Sequence, residues 1–275
     1  MQNASAILPD IDRPFPLTPD QIAAYRNNGC IRLRGVLEPA ILDGIAPVLR
    51  RLVADASKNL PPLAERGTYG KAFQQVMNLW RQDDAVRAFV FSKRLARIAA
   101  ELMESDGVRL YHDQALYKEP SGGATPWHAD QHYWPLDGNR TITVWIPLQR
   151  TPQEMGPIAF LPGSQKLDLG RDLEISDESE REIGRRVNLS KLPVDEAAYE
   201  LGDVSFHAGW TFHRAGGNRT AQPREVMTMI YFADGTRLAQ PRSRAQENDL
   251  AAWMPGAQVG APVATPLNPL LWSRR

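Results

Sequence analysis

Trp127-His128-Ala129-Asp130-Gln131-His132-Tyr133-Trp134 is the stretch on which the reading of this chain turns. In extended backbone, residues two apart point to the same side. His128 and Asp130 can therefore offer an imidazole and a carboxylate to one metal ion from one face. A third ligand would complete a two-histidine, one-carboxylate facial set, which leaves adjacent coordination positions open for cosubstrate and dioxygen. A His-x-Asp triplet alone is common by chance, so its surroundings must carry the argument.

Those surroundings read as β-structure. Short apolar runs at 108–118, 141–148, 158–161, 203–207 and 225–232 alternate with glycine, proline and polar turns. This spacing predicts an antiparallel sandwich or barrel, not a parallel sheet. The charged segment 167–198 interrupts the pattern and is expected to be an insertion over one mouth of the β-core, with a helix near 176–186.

The first hundred residues have a different period. Residues 1–16 predict a loose arm. Thr18, Pro19 and Gln21 then form a capping-box signature, and Asn28-Gly29 supplies the stop. A short strand follows at 31–33. Apolar residues at helical spacing predict helices over 39–57 and 84–104, with Ile41, Ile45, Val48, Leu49 and Leu52 on the inward side of the first. The whole chain reads as one domain: arm 1–16, mainly helical flank 17–106, β-core 107–235 with its insertion, and C-terminal extension 236–275.

Lysine plus arginine and aspartate plus glutamate number 32 each, so no global field draws the protein to nucleic acid or an anionic membrane. The single cysteine, Cys30, cannot form an intrachain disulfide and reads as a small buried hydrophobe. No apolar run reaches membrane-spanning length. No secretory signal is recognisable, and cytoplasmic residence is expected. The expected partner is a small molecule, and the oligomeric state is not legible.

Five histidines are present: His112, His128, His132, His207 and His213. His207 and His213 both stand as candidates for the third ligand. Eleven residues after His213 comes Arg224, opening an apolar strand. A buried guanidinium there needs a partner. One candidate is a structural carboxylate such as Asp203 or Glu225. The other is a dicarboxylate cosubstrate, bound through two parallel hydrogen bonds.

The ordered motifs resemble those of the phytanoyl-CoA dioxygenase family of Fe(II)/2-oxoglutarate oxygenases over about residues 17–235. They are Leu17-Thr18-Pro19-Asp20-Gln21, Arg34-Gly35-Val36-Leu37, Tyr117-Lys118-Glu119-Pro120, the His128-Ala129-Asp130 region, Val144-Trp145-Ile146-Pro147-Leu148, Met155-Gly156-Pro157, Phe160-Leu161-Pro162-Gly163-Ser164, and His213 with Asn218 and Arg224. The resemblance implies a mainly β fold with flanking α: a double-stranded β-helix (jelly-roll, cupin-like) core with N-terminal helices packed outside. It implies Fe(II) held by His128, Asp130 and His213, with Arg224 gripping the distal carboxylate of 2-oxoglutarate. His112, Gln114 and Trp145 are the further cosubstrate contacts it implies, and His207 becomes a wall residue. Two positions depart from the family pattern: Ala129, where glutamine is common, and Val226, where some related oxygenases carry serine.

Lys118 shares a face with His112 and Gln114 by alternation. With Trp134 and Trp210 it is a candidate for the substrate pocket, and these aromatics together with Tyr133 suit an apolar or ring-containing substrate. The expected reaction is hydroxylation with dioxygen, releasing succinate and carbon dioxide, with ascorbate as an aid in vitro. Because Asp130 occupies the carboxylate position, hydroxylation is favoured over halogenation. Desaturation, ring closure and demethylation use the same ligand set. A non-enzymatic jelly-roll binding protein and a cupin metalloenzyme without 2-oxoglutarate are the alternatives of other classes.

Overall fold

The computed structural model describes residues 8–168, 171–190 and 192–274. In chain order its helices are α1 (Pro19–Asn28), α2 (Pro39–Ser57), α3 (Thr68–Ala72), α4 (Asp84–Val90), α5 (Lys93–Leu102), α6 (Asp177–Ser190) and α7 (Arg244–Trp253). The strands are β1 (Cys30–Leu33), β2 (Gln74–Met77), β3 (Gly107–Lys118), β4 (Thr125–His128), β5 (Thr141–Pro147), β6 (Ile158–Phe160), β7 (Asp195–Glu196), β8 (Val204–Ala208), β9 (His213–Ala215), β10 (Arg224–Ala233) and β11 (Leu270–Ser273).

The helix signals act as the sequence predicts at α1. The Thr18 hydroxyl accepts from the Gln21 amide, and the Gln21 side chain accepts from the Thr18 amide. Gly29 ends the helix in the left-handed region at φ 71°. The single helix expected over 84–104 is instead two, α4 and α5. Ser92 separates them, because its hydroxyl accepts from the Leu95 amide and starts a new helix. The arm is not loose from Leu8 onward, where that side chain is buried. The buried Arg94 guanidinium on α5 draws in the carbonyls of Asp10 and Arg13 at 2.6 Å each and ties the arm down. Residues 1–7 lie outside the described residues.

The strands form two antiparallel sheets. The larger runs β1-β8-β5-β10-β3-β11, with β2 also paired to β3, and the smaller runs β4-β9-β6-β7. Period-two alternation divides the larger sheet cleanly. Val144, Ile146, Phe206, Met227 and Met229 face outward and pack on α2 and α5 through Ile41, Ile45, Leu49, Leu95 and Ile98. Thr143, Trp145, His207, Arg224 and Thr228 face the cavity between the sheets. This two-layer jelly roll, with helices covering one outer face, is the double-stranded β-helix core with N-terminal helices packed outside that was expected, in a chain that is mixed α/β as a whole.

Two attachments shape the cavity. Helix α6 lies in the expected insertion and packs Ile183 and Val187 against Trp127 of β4 and against Leu161 and Phe212, which flank β6 and β9. The C-terminal extension adds β11 to the edge of β3 and lays α7 against the turn that follows His128. A register shift opposite Ile230/Tyr231 leaves Tyr111 out of the β3–β10 ladder. The shift re-aims Tyr111 toward Trp134, Phe232 and the extension.

Candidate metal centre and its cavity

His128 ends β4 and His213 begins β9, and the two are register partners in the smaller sheet. Pairing alone brings their ring centroids to 4.1 Å. Ala129 keeps an extended backbone (φ −126°, ψ 127°), so Asp130 returns to the same side as His128 even though it opens a 3₁₀ turn. One ligand atom from each of His128, Asp130 and His213 lies within 4.8 Å of the other two.

The hydrogen bonds fix the tautomers. His128 Nδ1 lies 2.7 Å from the Pro126 carbonyl, and His213 Nδ1 lies 3.0 Å from the Thr211 carbonyl. A carbonyl only accepts, so each Nδ1 carries the proton and each Nε2 presents a lone pair. These lone pairs face Asp130 Oδ1 at 3.6 and 3.5 Å. Three electron-rich atoms converge with no proton between them, which is repulsive unless a cation joins them. The donor set thus fits a divalent metal, and the carbonyl-held Nδ1–H is the usual orienting device for a histidine ligand.

Electrostatics prepare the set for metal. Burial holds both imidazoles at about 4, so they are neutral near pH 7. Burial opposes ionisation of Asp130, but His213, the hydrogen bond from His207 and His128 outweigh it and hold the carboxyl well below the usual range, His213 and His128 acting through the charge they take on below about pH 4. Its second oxygen, Oδ2, accepts from the Thr143 hydroxyl at 3.0 Å and lies 3.2 Å from His207 Nε2. His207 therefore sits behind the carboxylate as a wall residue and steadies it.

Arg224 is buried on the same side of the larger sheet. Neither structural carboxylate considered for it is its partner. Glu225 is held by Arg50 at 2.7 Å, and Asp203 accepts from the amides of Gly35 and Glu200. Arg224 Nη1 donates to the Gly156 carbonyl at 2.6 Å, while its Nε–H has no partner among the described residues. Gly156 is left-handed (φ 70°), and a Cβ there would run into the Gly216 carbonyl, so glycine is required to aim this acceptor. Trp145 forms a wall beside the guanidinium, 5.6 Å from its ring centroid.

A cavity of about 240 Å³ joins these groups. Of the residues singled out in sequence, His112, Gln114, Trp134, Trp145 and Arg224 line it together with His128, Asp130 and His213. Lys118 does not: it is fully buried beside Arg224 and donates to the Gly123 carbonyl. Trp210 lies outside, packed near Phe212 with the Arg171 guanidinium 4.6 Å above its ring. His132 also lies away, its Nδ1 at 2.8 Å from the Arg171 carbonyl.

Sequence reasoning missed several lining residues. Thr143 was readable from its two-residue spacing to Trp145. Tyr69, Gln75, Ile175 and Asp249 carried no signal, because loops and helices distant in the chain bring them in. Asp249 comes from α7, where Tyr111 Oη donates to its Oδ2 at 2.8 Å. Burial lifts its carboxyl to about 6, against the lowering effect of hydrogen bonds from Tyr111 and Trp253.

Lone pairs aimed at a common point inside a jelly roll, next to a buried arginine with a free donor, define an oxygenase that uses iron and 2-oxoglutarate. The chain belongs to the phytanoyl-CoA dioxygenase (PhyH) family, whose model matches residues 25–226. It is an Fe(II)/2-oxoglutarate-dependent dioxygenase. It is 26% identical over 205 residues to a probable alpha-ketoglutarate-dependent hypophosphite dioxygenase from Stutzerimonas stutzeri, covering 70% of this chain and 69% of that protein. It is 24% identical over 197 residues to the ectoine dioxygenase of Streptomyces anulatus, covering 69% of this chain and 65% of that protein. The chain thus spans about two thirds of the length of these curated relatives. Among solved structures, the epimerase SnoN in complex with Fe3+, alpha ketoglutarate and nogalamycin RO superposes with a TM-score of 0.75 at 27% identity, covering 92% of this chain and 98% of SnoN. No helix among the described residues is long and apolar enough to cross a membrane.

Proposed function

We propose that this enzyme hydroxylates an unactivated C–H bond of a small molecule, with iron held by His128, Asp130 and His213 and the distal carboxylate of 2-oxoglutarate held by Arg224. The observation that carries the reading is the convergence of two lone-pair imidazoles and one carboxylate oxygen within 4.8 Å, in the cavity that Arg224 also lines. Iron, when bound, would activate dioxygen, which is the oxidant, and 2-oxoglutarate would supply two of the four electrons it takes: substrate, 2-oxoglutarate and dioxygen give hydroxylated substrate, succinate and carbon dioxide.

The protein's part is positioning. Thr143 and His207 fix the orientation of Asp130. The Pro126 and Thr211 carbonyls fix the two imidazoles. Arg224 Nε–H offers an unspent donor to a carboxylate, and Trp145 keeps that end of the cavity apolar, which strengthens the ion pair. His112 and Gln114 stand on the same wall as further contacts for cosubstrate or substrate. We assign the reaction to the cytoplasm, where a free thiol such as that of Cys30 stays reduced.

A second reading, in which C–H cleavage ends in rearrangement without oxygen gain, is favoured by the likeness to the epimerase SnoN. One experiment separates the two. Purified enzyme is given Fe(II), ascorbate, 2-oxoglutarate and a panel of candidate substrates, with succinate release followed and products weighed. A gain of one oxygen supports hydroxylation, an isomer or a loss of two hydrogens supports the second reading, and no succinate under any condition refutes both.

A further inference from the structure

We propose that Asp249 anchors a positively charged nitrogen, so that the substrate is a small apolar or ring-bearing amine whose ammonium lies against α7. This rests on the function proposed above and specifies its substrate class.

The first observation is a carboxylate fixed but not neutralised. Tyr111 Oη donates to Asp249 at 2.8 Å, and the Trp253 side chain, one helical turn on, also bonds to it. Both donors are neutral, so they orient the group and leave its charge. Glu225 has Arg50 and Glu119 has Arg66, while Asp113 and Asp203, which lie off the cavity, are each held by two backbone amides. No lysine, arginine or histidine is paired with Asp249 among the described residues. A recessed charge without a counter-charge is costly in the free protein and is repaid when a cation arrives.

The second observation is what surrounds it. Tyr69, Phe73, Tyr133 and Trp134 line the same cavity, and aromatic faces attract cations most strongly where water is excluded. His128, Asp130 and His213 line this cavity at one end and Asp249 at the other, so one space joins the metal centre to α7. Between the two ends run neutral polar groups: Tyr69 Oη donates to Gln75 at 2.7 Å, and Gln75 donates to Gln114 at 2.6 Å.

The third observation is where positive charge is committed. Arg224 sits at the cosubstrate end. Arg214, the other arginine at the cavity wall, lies 5.0 Å over the Trp127 ring and 3.4 Å from Glu180. The substrate end therefore suits a cation and disfavours an oxyanion.

The test uses three probes of similar size: benzylammonium, benzyl alcohol and phenylacetate. Their binding to the full-length Fe(II)·2-oxoglutarate enzyme is measured without oxygen at neutral pH. Benzylammonium is expected to bind at least about tenfold more tightly than benzyl alcohol, and phenylacetate more weakly than either. Asp249→Asn should erase that preference while leaving 2-oxoglutarate affinity and melting temperature close to the parent's. Asp249→Lys, the second variant, should turn the preference toward phenylacetate. No preference for the cation in the parent enzyme, or one that survives Asp249→Asn, overturns the proposal. Failure of 2-oxoglutarate to bind the iron-loaded protein would instead strike the function proposed above, and the three probes are therefore also compared on the protein without 2-oxoglutarate, where the cation preference is read by itself.

Discussion

Lys118 on β3 and Arg224 on β10 stand directly opposite one another in the antiparallel register, both fully buried. Two like-charged side chains facing each other inside a sheet are destabilising. Burial, and then Arg224, push the Lys118 ammonium down to about 6, so near neutral pH it is largely uncharged. Burial lowers Arg224 only to about 10, and it keeps its charge.

A carboxylate bound by Arg224 should raise the Lys118 value and draw in a proton. Binding of 2-oxoglutarate near pH 7.5 is expected to take up between about half and one proton, read by calorimetry in two buffers of different ionisation enthalpy. Lys118→Met should abolish the uptake and stabilise the fold by about 1–3 kcal/mol, because it removes a buried ionisable group. Arg224→Gln should weaken 2-oxoglutarate at least about 100-fold with iron affinity unchanged, as a charge-assisted pair is lost. Proton uptake undiminished in Lys118→Met would show that another group titrates.

Asp130 depends on Thr143 and His207 for its orientation. Thr143→Val removes a hydroxyl donor of similar shape and should weaken Fe(II) binding about 10-fold or more, with melting temperature little altered. Direct loss of a ligand in His128→Ala should cost far more and abolish succinate release. Fe(II) titration under anaerobic conditions measures both. Equal affinity in His128→Ala and the parent enzyme would remove His128 from the ligand set.

Glu180 joins the insertion to the metal-bearing strand. Its Oε2 accepts from the Trp127 amide at 2.8 Å, one residue before His128. Glu180→Ala should cost about 1 kcal/mol and speed hydrogen exchange at the Trp127 amide several-fold, whereas Glu180→Gln, which keeps an acceptor, should change little. Unchanged exchange in the alanine variant would mean that the apolar contacts of Ile183 and Val187 hold α6 by themselves.

Asp113 gives the fold a pH dependence away from the metal. It is buried on β3 and accepts from the Leu79 and Trp80 amides at 2.9 and 3.2 Å. Burial nevertheless lifts its carboxyl from 3.8 to about 7. Between those values the folded chain keeps a proton that the unfolded chain has released, so this stabilisation is full at the acidic end and is lost as pH rises toward 7. Asp113→Asn mimics the protonated form. Relative to the parent, it should gain stability by roughly 2–4 kcal/mol between pH 4 and pH 8, measured by denaturant unfolding. A parallel pair of stability curves would exclude Asp113 as their source.

Local rules were enough to read much of this molecule. The capping box before α1, the alternation of β5 and β10, and the shared face of His128 and Asp130 each depend on residues a few positions apart. The motif order carried the rest, choosing His213 over His207 and drawing attention to Arg224. Other features needed the folded chain. Register brings His128 against His213 across 85 positions of sequence and sets Lys118 against Arg224. The break at Ser92 was hidden because the apolar period continues across it. Trp210 and Lys118 had suitable chemistry, but packing turned them away from the cavity. Asp249 had no local mark at all: only the docking of α7 on the turn after His128 makes an ordinary helical aspartate into a wall of the site. Short-range geometry is written in neighbouring residues, whereas the company a side chain keeps depends on which distant surfaces close over it.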